Sequence, residues 1–208
     1  THGLSNELVD SFLKIDPNLN IALALAIKAR ENLDDEVEDL LVSLNESQFA
    51  RELQKDFVNF YEPSTVNPYI PLAAKGPWII TTHGAVVHDN GGYGMLGMGH
   101  DPTEVMSSMS KSHVMANVMT PSVTHKRFAD TLKREVGHTR GACPFDRFIC
   151  MNSGSESVTV AMRISDINAR LMTDQEGPHQ GKEIWTVALD SGFHGRTDRP
   201  ASISSSCL

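Results

Sequence analysis

The chain has 208 residues, with 18 Lys and Arg against 26 Asp and Glu, and a formal net charge of -8. This acidic balance argues against a nucleic-acid partner and against binding to an anionic membrane surface. Hydrophobic residues make up 40% of the chain, which is enough for a packed core, and no apolar run is long enough for a membrane span.

The cysteines and histidines indicate neither a disulfide framework nor a metal site. Cys143, Cys150 and Cys207 are odd in number and have no metal-ligand spacing, which favours a reducing cytoplasm. None of the nine histidines lies four residues from another, the spacing of a helical zinc site. We therefore expect a cytoplasmic protein without a bound metal.

Residues 1–61 are predicted to form a helical N-terminal extension. One helix presents an apolar face at helical spacing, made of Leu33, Val37, Leu40, Leu41 and Leu44. Ser47 is expected to cap the next helix, and residues 21–30 are apolar nearly all round, which predicts a buried helix. The extension is expected to pack against the large domain or a dimer partner, with partner binding or regulation as the alternative.

Residues 62–100 are predicted to form a linker followed by an N-terminal strand segment. Four prolines within residues 62–77 indicate an extended linker. Residues 78–87 are predicted to form one strand. Residues 89–99 contain five glycines, which indicates repeated bends or close approach of the backbone to a ligand or neighbour.

From residue 101 onward, predicted helices and strands alternate. Asp101 and Pro102 are expected to start a helix with Val105, Met106 and Met109 buried. A helix over residues 121–136 should bury Phe128, Leu132 and Val136 and stop at Gly137. Strands at 146–151 and 183–189 flank a helix at 155–171, and this order predicts an α/β fold with a mostly parallel sheet.

Residues 152–157, Asn-Ser-Gly-Ser-Glu-Ser, join the first of these strands to the helix. A Ser/Gly turn that opens a helix after a strand is suited to bind an anion, because free N–H groups and the positive end of the helix dipole coincide. The hydroxyls of Ser153 and Ser155 add donors. Glu156 is interpreted as a residue of the helix start and not as a catalytic group.

The second motif, Phe-His-Gly-Arg-Thr at residues 193–197, follows the other predicted strand. It places an aromatic ring, an imidazole and a guanidinium close together. Phe193 offers a stacking face, and Arg196 offers a planar fork that binds two carboxylate oxygens.

Together these two motifs resemble the class III aminotransferases, which include the ornithine, acetylornithine and 4-aminobutyrate aminotransferases. The glycine-rich segment, followed by Gly-His and a helix-starting proline, extends the resemblance to roughly residues 75–208. It implies a fold type I (aspartate aminotransferase-like) enzyme that uses pyridoxal 5'-phosphate (PLP). Residues 101–208 would be the first, incomplete part of its PLP-binding large domain.

The resemblance also implies roles for individual residues. Ser153, Gly154 and Ser155 would bind the cofactor phosphate, and Phe193 would stack on the pyridine ring with His194 supporting the site. Arg196 would grip a substrate carboxylate, which favours an amino acid or ω-amino acid as donor and a 2-oxo acid as acceptor. Tyr93 matches a substrate-facing aromatic residue of the ornithine-type members.

The catalytic lysine and the aspartate that holds the pyridine nitrogen lie well downstream of the second motif in this family. No lysine of the chain has the matching context, so we expect the catalytic lysine beyond residue 208 and name none here. The family also implies a homodimer. The chain departs from the family pattern at Ser157-Val158 and at Asp198-Arg199-Pro200. Because of the second, charged segment, the resemblance does not define the details of the substrate.

Two alternative hypotheses for the function remain open at this point. A PLP-dependent decarboxylase or aminomutase of the same fold would use the same phosphate and ring sites. A non-catalytic fragment could instead act as a binding module. A serine hydrolase is disfavoured because these serines lack the Gly-x-Ser-x-Gly turn.

Overall fold

The computed structural model describes residues 1–58, 69–90, 97–114 and 119–205. The chain divides into two compact units, Thr1–Met115 and Ala116–Leu208. Among the described residues, no helix combines the length and apolarity needed to cross a bilayer. The domain boundaries at residues 61 and 100 stay a prediction.

The first unit begins with four helices: α1 (Asn6–Leu13), α2 (Pro17–Glu31), α3 (Asp35–Ser43) and α4 (Glu46–Gln54). The apolar face predicted on and around α3 is confirmed, since Leu41 is buried and its four companions are half-buried. The predicted cap at Ser47 is wrong. Asn45 caps α4 instead, because it forms a reciprocal capping box with Gln48.

Burial of α2 is restricted to one side of the helix. Leu19, Ala22 and Ala26 are buried, whereas Ile21 and Ile27 are exposed. The predicted burial of this helix therefore holds for one side only. Its inner face packs across two strands of a small sheet, and α2 also contacts α1.

That sheet has three antiparallel strands in chain order: β1 (Pro71–Lys75), β2 (Trp78–Thr81) and β3 (Val86–His88). The single strand predicted over residues 78–87 is in fact a hairpin. Thr81 closes its turn, because the Thr81 Oγ1 accepts from the Ala85 N–H at 2.9 Å and the Thr81 carbonyl accepts from the Gly84 N–H at 3.0 Å. Gly84 adopts a positive φ of 79° in this turn.

The core of the first unit lies between α2 and the sheet. Its buried members are Leu19, Ala22, Ala26, Trp78, Ile80 and Val86. The Phe12 ring lies 5.0 Å from the Trp78 ring, and the His88 ring meets the indole edge-on at 4.8 Å. Trp78 thus joins α1, α2 and the sheet.

Asp16 connects the start of α2 to this tryptophan. Its carboxylate accepts from the Trp78 Nε1–H at 2.7 Å and, as the N-cap of α2, from the Asn18 N–H at 2.9 Å. The indole hydrogen bond is the main reason that the pKa of the Asp16 carboxyl is lowered, and the Asn18 N–H adds to it.

We expect Asp16→Ala to lower the free energy of unfolding by about 2 kcal/mol at neutral pH, because the helix loses its cap and the buried indole loses its acceptor. A lowered folded-state pKa stabilises the protein above the unfolded pKa, and this contribution is lost as the pH falls through the folded pKa. The difference between wild type and variant should therefore shrink below about pH 3.9. Urea denaturation at pH 7 and pH 3 measures it, and an equal difference at both pH values would contradict the assignment.

The first unit ends with α5 (Thr103–Met109). The predicted cap at Asp101 is wrong, because Pro102 is the N-cap and the Lys75 Nζ binds the Asp101 carboxylate at 2.8 Å. The predicted buried face is also wrong. Met106 and Met109 are exposed, and Val105 is only half-buried.

The second unit contains α6 (Val123–Gly137), α7 (Gly154–Thr173) and α8 (Asp198–Ser202). The helix α6 runs one residue further than predicted, since Gly137 is its last residue and His138 is its C-cap. Its predicted inner face is wrong, because Phe128 and Val136 are exposed and Leu132 is only half-buried. The short helix α8 is formed by the Asp-Arg-Pro segment that departs from the family pattern, and it packs on α7.

The strands predicted at 146–151 and 183–189 are wrong in this structure, since neither segment pairs with another strand. The apolar side chains that suggested them are largely exposed, with Trp185 at 80% and Val187 at 89%. A strand needs a hydrogen-bonded neighbour and a covering layer, and residues 119–205 supply neither. The predicted parallel sheet is therefore not formed by the described residues, whose one sheet is antiparallel.

Candidate functional site

The first motif forms the start of α7. Ser153 is the N-cap, and its Oγ accepts from the Glu156 N–H at 3.2 Å. The Glu156 carboxylate turns back and accepts from the N–H groups of Asn152, at 2.9 Å, and Ser153, at 3.2 Å. This reciprocal capping box confirms that Glu156 belongs to the helix start. It also removes two of the amides that an anion could use.

Two amides of the motif remain available. Within the described part of the chain, the N–H groups of Gly154 and Ser155 have no hydrogen-bond acceptor. Both lie in the first turn of a 20-residue helix, where the dipole favours a negative charge. The Ser153 hydroxyl accepts from Glu156 and still has its own proton to donate. We call these two amides, with the hydroxyls of Ser153 and Ser155, the anion cup.

The second motif approaches this cup through Gly195. Gly195 is buried and has a φ of +122°, a conformation that residues with a side chain rarely adopt. A Cβ atom built on Gly195 would fall 2.3 Å from the Ser155 Oγ and 2.9 Å from the Ser155 Cβ. The structure thus brings the two motifs, which are forty residues apart in sequence, into direct contact.

Ser204 fixes the loop that carries Gly195. Its hydroxyl accepts from the His194 N–H at 2.8 Å and lies 3.2 Å from the Gly195 carbonyl and 2.7 Å from the Pro200 carbonyl. Ser204 was not among the residues predicted from the sequence. Nothing in the local sequence marks it, because the loop that it closes is formed only when α8 folds back on α7.

Phe193 and Arg196 lie together on this loop. The Arg196 guanidinium carbon is 5.9 Å from the centroid of the Phe193 ring, a cation–π arrangement. Phe193 is 58% exposed, so most of its ring is accessible to a ligand. The His194 imidazole is half-buried and lies against Gly192, which leaves it beside the loop backbone.

Tyr93, the remaining predicted site residue, lies outside the described residues. The two ends of its glycine-rich segment are nevertheless held in the first unit. His100 pairs with Gly76 through two backbone hydrogen bonds, and its Nε2 lies 2.9 Å from the Asp89 carboxylate. The roles predicted for the other site residues are consistent with their placement but stay predictions.

No group of three His, Cys, Asp or Glu side chains suited to a metal ion occurs in the described ranges. The chemistry of the anion cup is instead that of a phosphate site, since it consists of N–H and hydroxyl donors at the positive end of a helix. The donors present fit the phosphate of PLP.

The chain matches the model of the family described as Aminotransferase class-III over residues 60–207. It therefore belongs to the class III aminotransferases, which are PLP-dependent enzymes with a fold type I architecture. No curated protein and no solved structure matches the chain. Family membership implies amino acid and oxo acid substrates and, typically, a dimer, without specifying a donor or an acceptor.

Proposed function

We propose that this chain provides the phosphate- and ring-binding part of a PLP-dependent aminotransferase that moves an amino group from an amino or ω-amino acid to a 2-oxo acid. The observation that carries the proposal is the contact between Gly195 and Ser155, because it joins the two family motifs into one site. PLP, when bound, supplies the electron sink for the chemistry at the amino carbon.

The residues of the chain bind and orient the reacting groups. The amides of Gly154 and Ser155 would hold the cofactor phosphate, and the serine hydroxyls would donate to its remaining oxygens. The exposed ring of Phe193 would cover one face of the pyridine. Arg196 would then hold the substrate carboxylate, with its guanidinium kept near the ring by the cation–π contact.

We place the catalytic lysine and the pyridine-binding aspartate outside this chain, and we propose a homodimer in the cytoplasm. The family supports the dimer, and the odd number of cysteines in the sequence supports a reducing compartment. Light scattering coupled to gel filtration tests the dimer directly. A monomeric mass at micromolar concentration would contradict it.

Equilibrium dialysis of the chain against PLP, and against pyridoxal as the matched compound without phosphate, tests the function. We expect PLP to bind and pyridoxal to bind at least about tenfold more weakly, because the cup contacts only the phosphate. Equal affinities, or no binding, would overturn the proposal. Product analysis with an amino acid and a 2-oxo acid then separates the alternatives, carried out on the whole enzyme that includes the lysine placed outside this chain. Carbon dioxide indicates a decarboxylase and an isomer of the substrate an aminomutase, whereas PLP binding by that whole protein without any reaction indicates a binding module.

Arg196→Gln should weaken binding of an N-phosphopyridoxyl amino acid by about tenfold, because a charge-assisted carboxylate contact is lost. Binding of pyridoxamine phosphate, which has no carboxylate, should change little. Isothermal titration with both ligands measures the difference, and Arg140→Gln, an exposed arginine on the loop after α6, serves as the control. Equal losses for both ligands would mean that Arg196 does not select the carboxylate.

A further inference from the structure

One attachment of helix α8 to α7, the pair of Arg199 and Asp166, lies far from the anion cup. The Arg199 guanidinium donates from both terminal nitrogens to the Asp166 carboxylate, with the Nη2–Oδ1 distance at 3.1 Å. Asp166 lies eleven residues after Ser155 on the same helix, or about 16 Å along its axis. The pair therefore makes no contact with a ligand in the cup.

From Arg199 a short series of contacts leads to the cup. The next residue, Pro200, is buried, and its Cβ would lie 3.1 Å from a Cβ built on Gly195. Ser204 hydrogen-bonds the loop at His194 and Gly195 from the same side. Gly195 in turn contacts Ser155. Any displacement of α8 along α7 would thus move Gly195 relative to Ser155.

The contact between Arg199 and Asp166 favours the charged form of both side chains. The hydrogen bond from Arg199 holds the pKa of the Asp166 carboxyl below its usual range, and the same bond raises the pKa of the Arg199 guanidinium. Both side chains are partly exposed, so the pair adds little to overall stability. Its two-point geometry, in contrast, fixes the orientation of α8.

We propose that Arg199 is a positioning residue of the phosphate site: its two-point contact with Asp166 sets α8 on α7 and thereby holds Gly195 against Ser155. This inference rests on the proposed function, because it assigns a role in the same phosphate site. It also gives a role to the Asp-Arg-Pro segment, at which the chain departs from the family pattern. Arg199 acts through Pro200 and Gly195 and touches no substrate.

Dialysis against PLP and pyridoxal, with the thermal midpoint measured in parallel, tests the proposal on the full chain. Arg199→Ala and Asp166→Asn should each weaken PLP binding by about three- to fivefold, the effect expected when one partly exposed pair is lost. Pyridoxal binding and the thermal midpoint should stay near those of the wild type. The exchanged pair, Asp166→Arg with Arg199→Asp, should restore most of the PLP affinity.

Asp174→Asn is the matched control, because Asp174 pairs loosely with Arg170 at 3.8 Å at the far end of α7. It should leave PLP affinity unchanged. If wild type binds PLP and Arg199→Ala binds it equally well, the positioning role is wrong while the proposed function stands. A failed rescue by the exchanged pair, or equal losses for both ligands with a lower midpoint, would also overturn it. A wild-type chain that does not bind PLP overturns both proposals.

Discussion

Gly195→Ala is expected to reduce PLP affinity by about tenfold or more, since the new methyl group would force Ser155 and the loop apart. The Cβ would lie 2.3 Å from the Ser155 Oγ, far inside van der Waals contact. The residue also has a φ of +122°, and a strained backbone of this kind costs about 1–3 kcal/mol. Equilibrium dialysis against PLP measures the loss.

Gly181→Ala provides the control for this substitution. Gly181 also has a positive φ, of 70°, but a Cβ built on it meets no atom within 4 Å. Backbone strain without a clash should lower stability and leave PLP affinity close to that of wild type. If both variants bind PLP equally, the contact between the two motifs does not shape the cup.

Trp78→Ala is expected to lower the free energy of unfolding of the first unit by about 3–5 kcal/mol, the usual cost of removing a buried aromatic side chain. Trp78 is 1% exposed, and it packs against Phe12 and His88. Its loss also leaves the Asp16 carboxylate without its indole donor. Urea denaturation followed by circular dichroism measures the change without depending on tryptophan fluorescence.

The chain contains one other tryptophan, Trp185, and Trp185→Ala is the natural comparison. Trp185 is 80% exposed, so its removal should change stability by no more than about 0.5 kcal/mol. Similar losses for the two variants would show that Trp78 does not hold the first unit together.

Sequence reasoning succeeded where the determinants of structure are close together along the chain. The start of α7 follows from Ser153 and Glu156, three residues apart, which form the capping box. The end of α6 was likewise predicted to within one residue. The family motifs predicted a site, and the structure places Gly195 of one motif against Ser155 of the other, while the roles of these residues stay predictions.

It failed where structure depends on distant partners. Residues 183–189 have the composition of a strand, but composition does not supply the neighbouring strand that pairing requires. The hairpin turn at residues 82–85 was missed because Thr81 uses its side chain as well as its backbone to close it. Ser204 and the contact of Arg199 with Asp166 could not be predicted either, since both depend on how α8 packs on α7.

The capping box at the start of α7 affects the thermodynamics of ligand binding. Because Ser153 and Glu156 satisfy each other, this turn is already formed in the free chain and a phosphate does not have to fold it. When the binding-competent state is nearly fully populated, the observed dissociation constant approaches the intrinsic one. The anion cup should therefore bind its ligand with little loss of chain entropy. If the capping box were broken, the ligand would have to order this turn as it binds, and the same contacts would give a weaker affinity.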